Sequence, residues 1–228
     1  MNSMFVWFEL LVNFQGNIIM AIEDIVIAMT GASGAPYGIR LLEVLLQAGK
    51  HIHFTLSPSA VEVVGTECGR KIDPDKFNPS KFFGQFWTPI LSSRFTYHNY
   101  RDFKSGIASG SFLTGGMVIC PCSMGTMGAI ASGISDNLIT RAANVHLKER
   151  RKLVIVPRET PLHLVHLRNM ITCTEAGAVI LPAMPGFYHK PTSVNDIVDF
   201  IVARICDQIG VVNKLQKRWG QNEADQQS

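Results

Sequence analysis

Between residues 24 and 181 the chain carries five short apolar runs, and turns of glycine, proline or hydroxyl-bearing residues separate them from segments with helical periodicity. This alternation restricts the fold more than any other feature. Asp24–Met29 (DIVIAM) is a short apolar run rich in β-branched residues, as a buried strand should be. The turn Gly31-Ala32-Ser33-Gly34 follows. Pro36 sits in a first helical turn, and Ile39, Leu42, Leu45 and Leu46 share one face up to a C-capping Gly49. His51–Leu56 reads as a strand and Pro58–Cys68 as a helix. Gly116–Cys120 is the next strand, followed by Pro121-Cys122-Ser123-Met124-Gly125-Thr126 and a small-residue helix. Leu138–Arg151 is a helix whose basic end suits its dipole. Leu153–Val156 is a strand, and Thr160 and Pro161 have the chemistry of a cap and first residue for a helix running to about Gly177. Ala178–Leu181 closes the strands. Ser193 and Asp196 form a capping box. The helix behind it carries Val194, Ile197, Val198, Ile201, Val202, Ile205 and Ile209 on one face and stops at Gly210. Residues 70–95 hold Pro74, Pro79 and Pro89 among aromatics and read as irregular.

Short apolar strands alternating with helices predict an α/β fold: a three-layer, Rossmann-like parallel sheet with helices on both faces. At 228 residues the chain suits one domain. The expected division is an apolar extension over 1–22, one domain over 23–212 and a polar tail over 213–228. Charged residues are only 17% of the chain, against about 25% in typical domains, so part of the surface is expected to be buried between subunits. A net charge of +3, without a basic stripe interleaved with aromatics, argues against nucleic acid. No apolar run reaches the ~18 residues of a membrane span. Residues 1–19 contain no lysine or arginine, which a secretory or mitochondrial leader would need. The expectation is a cytoplasmic protein, with Met20 as the natural start or residues 1–19 as a loose extension. Five scattered cysteines without a CxxC pair predict reduced thiols and no zinc ribbon. His163 and His166 lack a convincing third ligand, so no metal is expected.

In open parallel sheets ligands bind beyond the carboxyl ends of the strands. The segments there are TGASG (30–34), Ser57-Pro58, CPCSMGT (120–126), PRET (157–160) and PAMPGFYH (182–189). Hydroxyls beside helix-start amides suit a phosphate. The glycines at 31, 34 and 38 do not make a GxGxxG fingerprint, and no P-loop is present. The second strand ends in Ser57, not in an acid that would grip an NAD ribose. A mononucleotide such as FMN fits better. Arg158-Glu159, between a strand and a helix, reads as a phosphate ligand beside a proton donor, or as a pair that merely favours the helix dipole. Arg204 lies on the flank of its helix's apolar face.

The segments TGASGAPYGIRLLEVL, CPCSMGT, LITRAANVHLKERRKLVIVPRETPLHLVHLRNM and GAVILPAMPGFYHKPTSVNDIVDFIVARICDQIG resemble the UbiX flavin prenyltransferases, from about Asp24 to about Val212. The resemblance implies a flavodoxin-like fold and a homododecamer. It implies transfer of the dimethylallyl group of dimethylallyl phosphate to reduced FMN, building a fourth ring. Prenylated FMN then serves UbiD-type decarboxylases, one of them in ubiquinone biosynthesis. By the same resemblance FMN is held by Gly31, Ala32, Ser33, Ser57, Ser123, Met124, Gly125, Thr126 and Arg158, with Arg141 lining the site. Tyr188, Arg204 and Lys148 correspond to prenyl-phosphate ligands, Glu159 to the proton-transfer acid, and Trp219 to an aromatic near the prenyl group.

These residue types suit the chemistry. Departure of phosphate from an allylic carbon leaves a delocalised cation. Lys148, Arg204 and Arg141 can stabilise the leaving group without Mg²⁺, Glu159 can protonate it, and the Tyr188 ring can shelter the cation. The absence of a DDxxD-like cluster agrees with a monophosphate donor, though a pyrophosphate stays open. Two alternatives share the fold. A flavin-dependent cysteine decarboxylase would carry an Asn-containing Pro-Ala-Ser-Ala-Asn turn, whereas Pro121-Cys122-Ser123-Met124 stands here. A non-catalytic flavin carrier would have no use for Glu159, Lys148 and Tyr188 together.

Overall fold

The computed structural model describes residues 24–216, together with the backbone of 11–12 and 18–19. Trp219, most of the expected 1–22 extension and the end of the tail lie outside the described residues. Leu11–Val12 (β1) and Ile18–Ile19 (β2) form a two-residue antiparallel pair.

The remaining strands form one parallel sheet. They are Asp24–Met29 (β3), His51–Leu56 (β4), Phe95–Tyr97 (β5), Gly116–Cys122 (β6), Leu153–Pro157 (β7) and Val179–Ile180 (β8). Their order is β5-β4-β3-β6-β7-β8, and every neighbouring pair is parallel. The chain therefore steps outward from β3 through β4 to β5, then returns and fills the other side from β6. The reversal lies between β3 and β6, where an open α/β sheet forms its ligand crevice.

Alternating side chains feed two cores. Ile25, Ile27 and Met29 pack with helices Ala35–Gln47 (α1) and Val194–Gln208 (α7). Val26 and Ala28 face Met124–Ala131 (α4), Leu138–Lys148 (α5) and Leu164–Glu175 (α6). This double burial is why β3, β6 and β7 read as continuous apolar runs. The α1–α7 contact is locked by Arg40, whose Nε donates to Asp199 Oδ1 at 2.7 Å. α1 also lies directly on β6: a Cβ at Gly38 would stand 2.4 Å from the carbonyl oxygen of Cys120. Only glycine permits that approach.

Several boundaries differ from the sequence reading. Pro58–Cys68 (α2) matches it at both ends, with Ser57 Oγ accepting from Ala60 N at 3.1 Å and Gly69 left-handed beyond the last turn. The helix expected at Thr160 begins instead at Leu164. The Thr160 amide donates to the Glu159 carboxylate at 3.1 Å, and His163 caps the helix by accepting from Val165 N. α5 stops at Lys148 because Glu149 is its C-cap and Arg150 turns to φ 57°. β8 covers two residues rather than four. Residues 70–95 are less irregular than expected. They contain Pro79–Phe83 (α3), two 3₁₀ turns and the first residue of β5. Phe77, Phe82, Phe83, Trp87 and Phe95 cluster against Phe54, and Phe77 stacks on Tyr97 at 4.2 Å between ring centroids.

Candidate active site at the carboxyl edge of the sheet

The two turns at the reversal point are bonded to each other. Thr30 donates through its amide (3.1 Å) and its hydroxyl (3.2 Å) to the Pro121 carbonyl, and Thr30 Oγ1 accepts from Ser123 N at 2.7 Å. The Ser123 hydroxyl caps α4 by accepting from Thr126 N and lies 3.0 Å from the Thr126 hydroxyl. Ser57 N donates to the Met29 carbonyl, bringing the end of β4 into the same edge. Arg158 completes the row: its amide donates to the Cys122 carbonyl at 3.4 Å and its Nε to the Ser33 carbonyl at 3.1 Å. Gly31, Ala32, Ser33, Ser57, Ser123, Met124, Gly125, Thr126 and Arg158 thus lie along one crevice. Ala32 and Met124 are buried supports, while Gly31, Ser33 and Gly125 are exposed.

α2 does not run back down the sheet but lies across the mouth of this crevice. Ser59 in its first turn touches Gly31, where an added Cβ would meet Ser59 Cβ at 2.4 Å. Its last turn brings Glu67 to the start of α1, where the carboxylate accepts from Gly34 N at 2.9 Å and Ala35 N at 2.8 Å. Burial works against ionisation of Glu67. The Ser33 hydroxyl, the two amides and the nearby Arg158 charge outweigh it and hold the carboxyl below its ordinary range. A charge-accepting helix start, an arginine and an acid therefore meet at one point. Sequence reasoning missed Glu67. Its only signal was a carboxylate late in α2, and nothing local pointed it at a turn more than thirty residues earlier.

Glu159 is exposed beside Arg158 at the end of β7 and lines a cavity of about 240 Å³ with Pro157, Leu162, Met170, Pro182 and Met184. It stands five residues before Leu164, so it is not in the first turn of α6. Arg158 turns to Ser33 instead. Neither half of the structural alternative for this pair holds. Tyr188 follows β8, is 57% exposed and meets Phe200 edge-on at 5.8 Å. Arg204 is exposed on α7 and pairs with Asp207 at 3.1 Å.

Lys148 is not brought to Glu159 within one chain. Lys148 ends α5 and pairs with Glu149 beside Gly110. Four residues later the Lys152 carbonyl accepts from Met117 N, at the amino edge where β6 and β7 begin. Crossing β7 from that edge to Glu159 takes about 16 Å at ~3.3 Å per residue. Arg141 lies near the start of α5, its Nε donating to the Ala108 carbonyl at 2.9 Å.

The cysteines are free thiols. Burial pushes Cys120 and Cys122 far up, and Cys206 up to about 12, so none is a ready nucleophile.

The Flavoprotein family model matches residues 20–206. The flavin prenyltransferase UbiX of Pseudomonas aeruginosa is 47% identical over 199 residues, covering 87% of this chain and 95% of that protein. Among solved structures, AnUbiX in complex with FMN and dimethylallyl pyrophosphate superposes with a TM-score of 0.76 at 40% identity, covering 88% of this chain and 98% of that one. A dodecameric FMN-dependent UbiX-like decarboxylase from Escherichia coli gives 0.74 at 38% identity, covering 87% and 100%. On its crevice, its topology and this breadth of identity, the chain belongs to the family of UbiX flavin prenyltransferases.

Proposed function

We propose that this protein transfers the dimethylallyl group of a prenyl phosphate to reduced FMN, releasing phosphate and making the prenylated flavin used by UbiD-type decarboxylases. The observation that carries this reading is the crevice at the β3–β6 reversal. There the turn before α1, the start of α4 with Ser123 and Thr126, and Arg158 are bonded into one row along the carboxyl edge of the sheet, with Glu159 beside it. Reduced FMN, when bound, would supply the electron-rich ring system that attacks the allylic carbon. The chain's own residues do the rest. Arg158 favours anionic oxygen. Glu159 holds the proton for the departing phosphate.

Lys148 takes part through a neighbouring copy, because one chain leaves it at the far edge of the sheet, and Arg141, on the same helix, comes with it. The outer face of α6 favours such an assembly: Leu164, Val165, Leu167 and Ile171 are all exposed on it, a patch that marks association surfaces. A dodecamer is the assembly we favour. The leaving phosphate is neutralised by these cationic side chains, without Mg²⁺ in the reaction. Among the described residues no helix is long and apolar enough to cross a membrane, and we place the activity in the cytoplasm.

The deciding experiment is anaerobic incubation of the protein with reduced FMN and either dimethylallyl phosphate or the pyrophosphate, without added Mg²⁺, followed by mass spectrometry of the flavin. A flavin heavier by one five-carbon unit, formed from the monophosphate, is the expected result. Unmodified FMN with both donors would overturn the proposal, and product from the pyrophosphate alone would overturn the choice of donor.

A further inference from the structure

The opposite edge of the sheet holds a second cluster that the prenyl-transfer reading does not use. Asp24 and His51 are register partners at the first residues of β3 and β4, and His53 follows two residues on, beside Val26. Strand alternation puts all three side chains on the same face of the sheet. One donor atom from each lies within 4.8 Å of the others. His51 Nδ1 is 2.9 Å from Asp24 Oδ1. The His53 side chain is only 7% exposed, and its Nε2 is fully buried with no hydrogen-bond partner. That atom faces Asp24 Oδ2 at 3.7 Å, too far for a hydrogen bond. A buried polar atom left unpaired in this way is costly and calls for an occupant.

His53 is also held as metal-bound histidines are held. Its Nδ1 is 3.0 Å from His98 Nε2, and His98 Nδ1 is 2.8 Å from the Ser105 hydroxyl. A relay of this kind fixes the ring and its tautomer, aiming the other nitrogen at an ion. Among the described residues no lysine or arginine forms an ion pair with Asp24.

We infer that Asp24, His51 and His53 form a site for one divalent transition cation of the zinc class, which ties together the amino ends of β3 and β4. Two imidazoles and one carboxylate are a common protein ligand set for zinc, with a fourth position left for water. Tetrahedral zinc at ~2.0–2.1 Å from its ligands needs donor atoms about 3.3 Å apart, so modest side-chain closure from 4.8 Å suffices. Asp24 and His51 side chains are about one-third exposed, which gives the ion an entry. The site is separate from the flavin crevice: a strand running from Asp24 to Met29 spans about 16 Å.

The test uses full-length protein stripped with EDTA, dialysed against buffered Zn²⁺ and assayed for metal content. One zinc per chain is expected, accompanied by a rise in melting temperature. Asp24→Asn and His51→Asn, both at partly exposed positions, should abolish the stoichiometric binding and the thermal shift while the protein still binds FMN. His98→Gln should weaken zinc binding about 10–100-fold, as loss of an outer-shell partner does. His163→Asn, which disrupts the tilted His163–His166 ring contact, should leave zinc content unchanged. Wild-type protein that holds no zinc above background would overturn the proposal. So would zinc that persists in both Asp24→Asn and His51→Asn, or that is lost in His163→Asn.

Discussion

Gly38→Ala tests whether the contact of α1 with β6 sets the geometry of the flavin crevice. The new Cβ would stand 2.4 Å from the Cys120 carbonyl oxygen and 3.0 Å from Met29 Cε and Sδ. Ordinary contact begins at 3.4 Å, so α1 and β6 must part by about 1 Å. The Met29 thioether can swing aside, but the carbonyl belongs to a central, fully buried strand. Overpacking of this kind costs roughly 1–3 kcal/mol. At about 2–4 °C per kcal/mol for a chain of this size, the melting temperature should fall by about 2–12 °C. The same displacement reaches the site, because α1 follows directly on the Gly31–Gly34 turn and Cys120 leads into the Pro121–Thr126 turn. A misplacement of about 1 Å can cost on the order of 10² in rate. Differential scanning fluorimetry of FMN-free protein, a fluorescence titration with FMN and initial rates measure all three effects. A wild-type melting temperature together with wild-type FMN affinity would refute the reasoning.

Glu159→Gln keeps the size of the side chain but cannot supply a carboxylic proton. Turnover should fall about 10²–10⁴-fold, with FMN affinity and melting temperature unchanged; a wild-type rate would remove Glu159 from the mechanism. A pH effect follows from His146, which is 1% exposed, donates from Nδ1 to the Ala142 carbonyl and accepts at Nε2 from the Thr114 hydroxyl. Burial lowers its pKa below the ordinary histidine value. The unfolded chain then binds more protons, so the contribution is complete above about pH 6.5 and is lost as pH falls toward the folded value, at up to ~1.4 kcal/mol per pH unit. Urea unfolding at pH 7.5 and 5.5 should show this slope in the wild type and a shallower one in His146→Gln, and equal slopes would contradict it.

Strands β3, β6 and β7 were legible because burial on both faces makes their central positions a continuous apolar run, and β4 because Ile52, Phe54 and Leu56 alternate with polar residues. α2 was legible because Ser57-Pro58 and Gly69 mark its ends chemically. Local chemistry misled at Thr160-Pro161. The pair looks like a cap and first helical residue, but the Thr160 amide is taken by Glu159 and the helix waits for His163. β5 was not legible: three residues without periodicity are held by an aromatic cluster assembled from 54 to 97. The crevice turns were readable from their place after strands. Glu67 was not, because its role depends on α2 lying across the mouth of the crevice, a tertiary fact that leaves no pattern in the sequence. The separation of Lys148 from Glu159 was hidden for the same reason, since their nearness in sequence conceals the crossing of α5 and β7.

The central claim is that the carboxyl-edge crevice of one chain and the cationic end of α5 from another copy make a single prenyl-transfer site. Mixed oligomers test it directly. Glu159→Gln and Lys148→Ala chains are each assayed alone, then dissociated, mixed in equal amounts and reassembled, with formation of prenylated flavin as the readout. Where each site takes Glu159 from one chain and Lys148 from another, about one quarter of the sites in the mixture carry both native residues, and activity returns to roughly that fraction of wild type. A mixture no more active than its two components would contradict the account.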